Sequence, residues 1–296
     1  MSDQPPPARV ALGIDIGGTG LKAGLVDLET GRLVGERVRT ATPKPATFTA
    51  LAGAVAKLVE PLLASVEEVE AVGVGFPAVV RRGIALSAVN VSAEWMYADV
   101  GKVFAETFGR QVWALNDSDA AAFAEARFGA GRHQGGTILV ATLGTGVGTG
   151  LVVEGQLVPN IELGMLTVRG KPAGQRVANS VRKRKRIPWE TWAMDLQAFV
   201  DALDEAVAPD LVIIGGGVSE EAHRYLPLIR TRPMVVPARL RNDAGIVGAA
   251  IYAADQQIRR ARSETGTISQ LAPTGKTPDG AAEEPPAPIM ALRGAG

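Results

Sequence analysis

ALGIDIGGTGLKAGLVDLETG, residues 11–31, consists of an apolar strand, a glycine-rich turn and a second apolar strand that ends in polar turn residues. Residues 136–155, GTILVATLGTGVGTGLVVEG, repeat that order. Each stretch predicts a β-hairpin with glycine at the bend. The two stretches lie too far apart for a solenoid repeat. The sequence therefore predicts two related halves, each of which begins with a glycine-rich hairpin.

A helical pattern and then a short buried strand follow each hairpin. The helical patterns cover residues 48–66 and 189–207, and the strands begin near Val69 and Pro209. Alternating strands and helices predict an α/β fold. We expect a small N-terminal lobe at residues 9–115 and a larger C-terminal lobe at residues 116–256, with a final helix that can pack back on the first lobe. Residues 1–8 and 257–296 lack apolar periodicity and are expected to be disordered.

Composition excludes several classes of function. The 296 residues carry 31 Lys and Arg against 31 Asp and Glu, which argues against a wholly basic nucleic-acid binder. The absence of cysteine excludes a disulfide scaffold, a Cys-ligated zinc and a thiol nucleophile, and two histidines argue against a multi-histidine metal site. Residues 134–153 are uncharged, but six glycines fit a hairpin better than a membrane span. With no apolar targeting segment in residues 1–10, we expect a cytoplasmic protein without membrane association.

Three glycine clusters stand at the ends of apolar strands, at residues 17–20, 144–148 and 215–217. Glycine lets the backbone approach a phosphate closely and direct N–H groups at it. The dinucleotide fingerprint fails because Thr149 stands where its last glycine is required, and the P-loop pattern before Lys276 fails because Gln270 replaces its first glycine. A single cluster is more often a tight turn, whereas three clusters at strand ends favour phosphate or nucleotide binding.

Two aspartates follow or end apolar strands. Asp15, between Ile14 and Ile16, is a carboxylate in an apolar strand, which is costly unless the group is paired or bound to a cation. It is a candidate for Mg²⁺ or phosphate handling, and the alternative is a structural residue that caps the turn. Asp117 precedes an alanine-rich helix from about Ser118, so it is either the N-cap of that helix or a general base that accepts a proton from a substrate hydroxyl.

These residues resemble the ROK family of sugar kinases, and among them the branch that uses polyphosphate. The similarity covers about residues 12–253, nearly all of the expected folded part. It rests on motifs that occur in the family's order: DIGGTGLK from Asp15, the Asn116-Asp117 segment, the turn at residues 143–150, Glu162-Leu-Gly, Gly215 to Val218, and VPARLRNDAGIVGAA from Val236. The resemblance implies the two-lobed actin-like (ribonuclease H-like) ATPase fold, transfer of a phosphoryl group from polyphosphate or ATP to the 6-hydroxyl of glucose, and a homodimer.

The resemblance also implies roles for individual residues. Asp117 would be the general base, and Mg²⁺ would bind at Asp15, directly or through water. Zinc is not expected, because the cysteine motif of other family members is missing. The sugar hydroxyls would be held by Asn90, Asn116 and Glu162. The phosphate and nucleotide site would be lined by Asp15, Gly17, Gly18, Thr19, Lys22, Gly144, Thr145, Gly146, Gly216 and Gly217.

Two positions depart from the family's pattern at the sugar site. Met165 stands where the family has a histidine after Glu-x-Gly, and Gln175 stands where it has a second glutamate. Methionine donates no hydrogen bond to a hydroxyl, and glutamine is not a charged acceptor. Two alternatives therefore stay open, a non-catalytic pseudokinase that binds sugar or polyphosphate, and an ATP-only kinase of another hexose.

A basic run, Arg182-Lys183-Arg184-Lys185-Arg186, follows Lys171 in an otherwise neutral chain. Such a run is commonly a solvated loop. As an extended strip it would suit a linear polyanion better than compact ATP, so we expect it to bind polyphosphate. Nucleic acid is the rival polyanion and is not expected to be the partner.

Overall fold

The structure, a computed structural model, describes residues 9–266. The N-terminal half contains, in chain order, β1 (Val10–Ile16), β2 (Gly20–Asp27), β3 (Leu33–Ala41), α1 (Phe48–Leu63), β4 (Val72–Phe76), β5 (Val80–Arg81), β6 (Ile84–Ala85), α2 (Val100–Phe108) and β7 (Trp113–Asn116). Its main sheet has the strand order β3-β2-β1-β4-β7, in which β1, β4 and β7 are parallel and the β1–β2 and β2–β3 pairs are antiparallel.

The second half repeats this arrangement. It contains α3 (Asp117–Phe128), β8 (Thr137–Leu143), β9 (Val147–Val153), β10 (Gln156–Val158), β11 (Thr167–Val168), β12 (Lys171–Pro172), α4 (Asn179–Lys185), α5 (Trp189–Val207), β13 (Leu211–Gly215), β14 (Met234–Pro237) and α6 (Ala244–Gly266). Its sheet has the order β10-β9-β8-β13-β14, again with an antiparallel hairpin beside parallel strands. The two sheets therefore share one topology, as the repeated hairpins predict.

Alternation along β1 explains how its sheet is covered on both faces. Leu12, Ile14 and Ile16 are buried in the core that includes Leu51 and Val55 of α1. Gly13 faces the other way, and a β-carbon there would overlap the backbone of Ile246 in α6. In β4, Gly73 lies in the same way against Ala249. Small residues at these positions let α6 lie directly on the sheet.

Helices α3 and α6 pack against each other between the two sheets. A β-carbon at Gly248 would overlap the carbonyl oxygen of Ala120, so the two helices are in backbone contact there. On the other side of α3, Gly150 of β9 is in close contact with Ala122. The larger core of the second half lies on the opposite face of its sheet, where Trp192, Leu196 and Phe199 of α5 are fully buried.

Most of the element predictions are confirmed. Both hairpins form, the helix after the second hairpin spans Trp189–Val207 as predicted, and the first ends at Leu63 rather than near residue 66. The final helix packs on the N-terminal sheet. The start of the disordered tail at residue 257 is wrong, because α6 continues to Gly266. The predictions for residues 1–8 and 267–296 lie outside the described residues. Among residues 9–266, none of the helices combines the length and apolarity that crossing a membrane requires.

Candidate active site

A glycine turn, closed by a backbone hydrogen bond, forms the end of each hairpin. In the first, the Gly17 N–H donates to the carbonyl oxygen of Gly20 at 2.9 Å, and in the second the Gly144 N–H donates to Gly146 at 3.0 Å. The Thr42 hydroxyl fixes the first turn by donating to the Gly17 carbonyl at 2.6 Å. Thr19, Thr145 and Gly146 are exposed at the tips. The tips of both turns are therefore accessible, and the binding of phosphate by their backbone N–H groups stays a prediction.

The third glycine cluster lies beside the second turn. Gly216 has φ +79° and a β-carbon there would lie 2.7 Å from the carbonyl oxygen of Leu143, so only glycine fits this position. The start of α4 is bonded to the second turn. The Ser180 backbone N–H donates to the Gly144 carbonyl oxygen at 3.1 Å, and the Ser180 hydroxyl donates to the Thr145 carbonyl oxygen at 2.7 Å. The second and third predicted glycine clusters are thus brought together.

Asp15 lies at the end of β1 and is paired with a cation. Lys22 Nζ lies 2.9 Å from Asp15 Oδ2, and the side chains are 31% and 14% exposed, respectively. The start of α6 closes over the carboxylate, since a β-carbon at Gly245 would lie 2.7 Å from Asp15 Cγ. The positive end of the α6 dipole and the Lys22 ammonium therefore both face the Asp15 side chain.

The donor set at Asp15 fits Mg²⁺ in the way that phosphoryl-transfer enzymes hold it. Mg²⁺ prefers one or two carboxylates together with substrate phosphates and water, not a cage of side chains. Only one carboxylate oxygen of Asp15 is engaged by Lys22. Within residues 9–266 there is no cluster of three or more His, Asp or Glu side chains that could hold a metal alone. The resemblance-based assignment of Mg²⁺ to Asp15 stays a prediction.

Asp117 is the first residue of α3, and it does not cap the helix. The N-cap is Asn116, whose side-chain oxygen accepts from the N–H groups of Ser118 at 2.8 Å and Asp119 at 3.0 Å. The carboxylate of Asp117 is therefore free of the structural role that a cap would give it. Burial, and then the negative charge of Asp15, raise the pKa of Asp117 to about 7. A carboxyl group with this pKa is suited to general-base catalysis near neutral pH.

Ser118 ties the base to the second hairpin. Its hydroxyl lies 3.4 Å from Asp117 Oδ1 and 3.2 Å from the Thr142 hydroxyl, which in turn donates to the Gly148 carbonyl at 3.3 Å. A β-carbon at Gly148 would overlap the Ser118 hydroxyl. Sequence reasoning missed Ser118 and Thr142, although the unbroken polar sequence Asn-Asp-Ser-Asp at the start of an alanine-rich helix was a usable signal.

Asp119 and Asn160 connect the base to the loop that carries Glu162, and neither was predicted. Asp119 is 1% exposed, its Oδ2 accepts from the Asn160 N–H at 2.8 Å, and burial raises its pKa to about 7. The Asn160 amide bonds both backbone groups of Val80 at 2.9 Å, which joins the two halves. Glu162 is near enough that its charge contributes to the raised pKa of Asp119, and burial raises the pKa of Glu162 itself.

The other predicted sugar ligands have different surroundings. Asn90 is exposed, and its side chain would lie 3.4 Å from a β-carbon at Gly18, so it borders the first glycine turn. Asn116 donates one N–H to the Ala78 carbonyl at 2.9 Å, which leaves one N–H for a ligand. Met165 is 71% exposed and Gln175 is also exposed. The sugar-binding assignments stay predictions, and Asn116 in addition has a structural role.

The basic run is not an extended strip. Residues 179–185 form α4, and Arg186 follows it in the left-handed conformation. The first arginine is part of the fold: the Arg182 guanidinium lies 3.7 Å from the centre of the Trp189 ring, and its Nε is buried. Lys183, Arg184 and Lys185 are exposed, as is Lys171. Because a helix advances much less per residue than an extended strand, the cations form a compact cluster at the end of α4.

Several known proteins are similar to this chain in sequence and in structure. The model of the ROK family matches residues 11–161. Polyphosphate glucokinase of Mycobacterium tuberculosis is 42% identical over 250 residues, which cover 82% of this chain and 91% of that protein. The solved inorganic polyphosphate/ATP-glucomannokinase from Arthrobacter sp. strain KM is 45% identical, with a TM-score of 0.79, and the match covers 83% of this chain and 99% of that one. A ROK family glucokinase from Streptomyces griseus, in complex with glucose and AMPPNP, is 26% identical with a TM-score of 0.72, over 83% and 99% of the two chains.

Proposed function

This chain belongs to the ROK family, and we propose that it is a sugar kinase that transfers a phosphoryl group from inorganic polyphosphate, and also from ATP, to the 6-hydroxyl of glucose. Its fold is the two-lobed actin-like ATPase fold of that family. The two relatives above that are more than 40% identical are named for polyphosphate and glucose, and one of them also for ATP and mannose.

The observation that carries the proposal is the position of Asp117. The carboxylate stands at the start of α3, released from capping by Asn116, with a pKa raised to about 7. In the proposed reaction Asp117 accepts the proton of the sugar 6-hydroxyl while that oxygen attacks the terminal phosphorus of the donor. The bridging P–O bond of the donor breaks, and ADP or a polyphosphate shorter by one unit leaves with the electron pair. Phosphoryl transfer requires little else from the protein than such a base, in-line positioning and charge neutralisation.

The groups that face the donor supply the neutralisation. We assign the phosphate oxygens to other backbone N–H groups of the two glycine turns, and Lys22 places an ammonium beside Asp15. Mg²⁺ bound with Asp15 and the donor phosphates would neutralise charge that develops on the transferred group. Because Asp15 is held by Lys22 and by the start of α6, its charge is fixed in place before the donor binds.

Sugar recognition is assigned to Asn90, Glu162 and the remaining N–H of Asn116. The Thr149 hydroxyl, on β9, accepts the Leu163 N–H at 2.9 Å and donates to the Ile161 carbonyl. These two hydrogen bonds fix the residues on either side of Glu162 against β9. The exposed Met165 offers no hydrogen bond to a sugar hydroxyl, so discrimination between glucose and mannose is expected to be weak.

One assay tests the proposal. The purified full-length chain is incubated with Mg²⁺, with glucose, mannose or N-acetylglucosamine, and with either polyphosphate or ATP, and sugar 6-phosphate is measured. Glucose 6-phosphate formed from polyphosphate supports the proposal. Sugar binding without turnover on either donor would indicate a pseudokinase, and turnover with ATP alone would indicate an ATP-only kinase. The homodimer that the family resemblance implies is a further proposal, and light scattering after gel filtration would test it.

A further inference from the structure

A large cavity in the described part of the chain is lined by none of the candidate catalytic or glycine-turn residues. It has a volume of about 1000 Å³ and lies between the two halves. One wall is the outer edge of β7, which has no partner strand beyond it in its sheet, and another is formed by β10, the edge strand of the second sheet. Helices α3 and α6 provide Phe123 and Tyr252. A cavity of this size matches a small-molecule site, and such sites form preferentially between domains.

The chemistry of the lining defines a class of ligand. Trp113, Phe123, Leu157 and Tyr252 give the cavity an aromatic and aliphatic interior. At its edge, Arg81 and Arg82 are exposed, and neither guanidinium has an ion-pair or hydrogen-bond partner among residues 9–266.

The other charged groups of the lining are engaged. Arg127 is paired with Asp255 at 3.0 Å, Arg259 donates to Gln156 at 3.3 Å, and Asp99 accepts the Lys102 N–H at 2.9 Å. Four arginines (Arg81, Arg82, Arg127 and Arg259) thus line the cavity against three aspartates (Asp99, Asp119 and Asp255), and Arg81 and Arg82 are the two arginines without a partner in the described part of the chain.

The two arginines are presented by a defined turn. Arg82 and Gly83 have φ values of +52° and +84° and connect β5 to β6, the pattern of a tight hairpin turn. Beside this turn Val80 is bonded to Asn160 of the second half. A molecule in the cavity would thus contact both halves where they are joined.

The cavity is close to the catalytic residues along the chain. Asp119, which lines it, is two residues from Asp117 on α3, and Asn160, which also lines it, is two residues from Glu162. Asp119 and Asn160 are hydrogen-bonded to each other at 2.8 Å. Any ligand that changes the spacing of the two halves here would move Asp117 and the Glu162 loop, both in the second half, relative to Asp15 and the first glycine turn.

We propose that this cavity is an allosteric site for a small amphipathic anion with an aromatic body, whose anionic group pairs with Arg81 and Arg82. A ligand can shift a conformational equilibrium only by binding one state more tightly. Because it would touch both lobes, an occupant favours the lobe spacing that fits it. The binding part of this proposal stands independently of the proposed kinase activity, and the regulatory part rests on it.

The test uses 8-anilinonaphthalene-1-sulfonate, an aromatic anion that fluoresces in apolar sites, with the full-length protein. We expect saturable binding to one site per chain, with energy transfer from Trp113, which alone of the four tryptophans lines the cavity. The double substitution Arg81→Ala and Arg82→Ala should weaken binding about tenfold, which corresponds to ~1.4 kcal/mol. Arg132→Ala, an exposed arginine outside the lining, should leave binding unchanged.

Two further measurements separate the cavity from general surface binding. N-phenyl-1-naphthylamine has the same rings without the sulfonate. It should bind the wild type about tenfold more weakly than the sulfonate probe does, and it should bind the arginine variant with the same affinity as the wild type. Ala126→Phe, which fills the cavity from α3, should abolish binding. Loss of binding in Arg132→Ala, equal affinity for both probes, or unchanged binding in the arginine variant would overturn the site. A saturating probe should change the glucose KM of the wild type but not that of Ala126→Phe; an unchanged wild-type KM with intact binding would overturn the regulatory part alone.

Discussion

At the level of single residues, Asp117 is a carboxylate whose pKa is raised to about 7 by burial and by the charge of Asp15. We expect Asp117→Asn to lower kcat by about 10²–10⁴-fold, the usual contribution of a general base, with little change in the sugar KM. The amide keeps the size of the carboxylate but cannot take the proton. Near-normal kcat in the purified variant would contradict the assignment.

The same substitution provides its own control for folding. Burial raises the pKa of Asp117 above its unfolded value of about 3.9, so ionisation costs stability as the pH rises from about 4 to about 7, and the cost is complete above that. A neutral amide removes this cost. The Tm of Asp117→Asn at about pH 8 should therefore equal or exceed that of the wild type, and a much lower Tm would mean that the loss of activity reflects misfolding.

The pH dependence of the reaction follows from the same pKa. Because the base acts only when ionised, kcat/KM should fall about tenfold per unit below the pKa of about 7 and be level above it. Asp119 has a similarly raised pKa, so the assignment needs a control. Asp119→Asn should keep the acid limb of the profile. If that limb disappears in Asp119→Asn, Asp119 rather than Asp117 controls the profile.

Met165 tests the sugar site. A histidine there would restore a donor to one sugar hydroxyl, and a hydrogen bond is worth about 0.5–1.5 kcal/mol net, so Met165→His should lower the glucose KM by roughly three- to tenfold. Met194→His, at a methionine of α5 that is 57% exposed, is the matched control and should have no effect. An unchanged KM in Met165→His would mean that this departure from the family is silent.

The sequence points to Asp15, the glycine turns and Asp117 as candidates, because a costly carboxylate or a permissive glycine stands at the end of an apolar strand. It left open whether Asp117 caps α3 or acts as a base, and it did not indicate Asn116 as the cap, since helix starts are uncertain by a residue or two. It also missed the hydrogen bond between Asp119 and Asn160, which joins residues 41 apart in sequence. Such contacts depend on how the loops fold over one another, and no local pattern encodes them.

At the level of elements, α4 is the clearest difference from expectation. Five consecutive cations have no apolar period, so the sequence predicts an extended strip. The seven-residue helix is instead held by tertiary contacts: Val181 is buried, and Arg182 stacks on Trp189. A helix this short has little stability of its own.

The functional prediction for α4 therefore concerns its exposed cations and spares Arg182. Replacing Lys183, Arg184 and Lys185 with Ser should raise the KM for polyphosphate by about tenfold or more and the KM for ATP much less, because a donor longer than a triphosphate can extend from the second glycine turn, where α4 begins, to these cations. If all three contact phosphates, the slope of log affinity against log salt should fall by about 2, using ~0.7 per contact as for single strands. The control replaces the dispersed cations Lys57, Lys102 and Arg132 with Ser. Equal losses with both donors, or in both variants, would make the cluster incidental to donor choice.

At the level of the whole molecule, α6 links the two halves. Its extension past residue 257 could not be predicted from a sequence of Gln, Arg and Ser without apolar period. Long-range contacts hold those turns: Arg259 donates to Gln156 and Arg260 to Gln111. In contrast, the duplicated sheets were predictable, because each hairpin is encoded by consecutive residues.

The backbone contact between α3 and α6 gives a stability prediction. Alanine is normally a better helix residue than glycine by about 1 kcal/mol. At Gly248 the added β-carbon would overlap the Ala120 carbonyl, and overpacking of this kind costs about 1–3 kcal/mol. Gly248→Ala should lower the free energy of unfolding by that amount, whereas Gly53→Ala, in α1 with open space around it, should raise it by up to about 1 kcal/mol. Chemical denaturation measures both, and a neutral Gly248→Ala would show that the helices move apart without cost.

The packing of α6 on β1 and β4 also orders events during synthesis of the chain. The strands of the first sheet leave the ribosome early, but the helix that covers one of their faces is made only after the whole second half. Until then Ala11 and Val26 belong to an uncovered apolar surface on the nascent chain. The first half is thus translated first, but its packing is completed last. For most of translation, chaperones or fast elongation would have to keep this apolar surface from associating with other nascent chains.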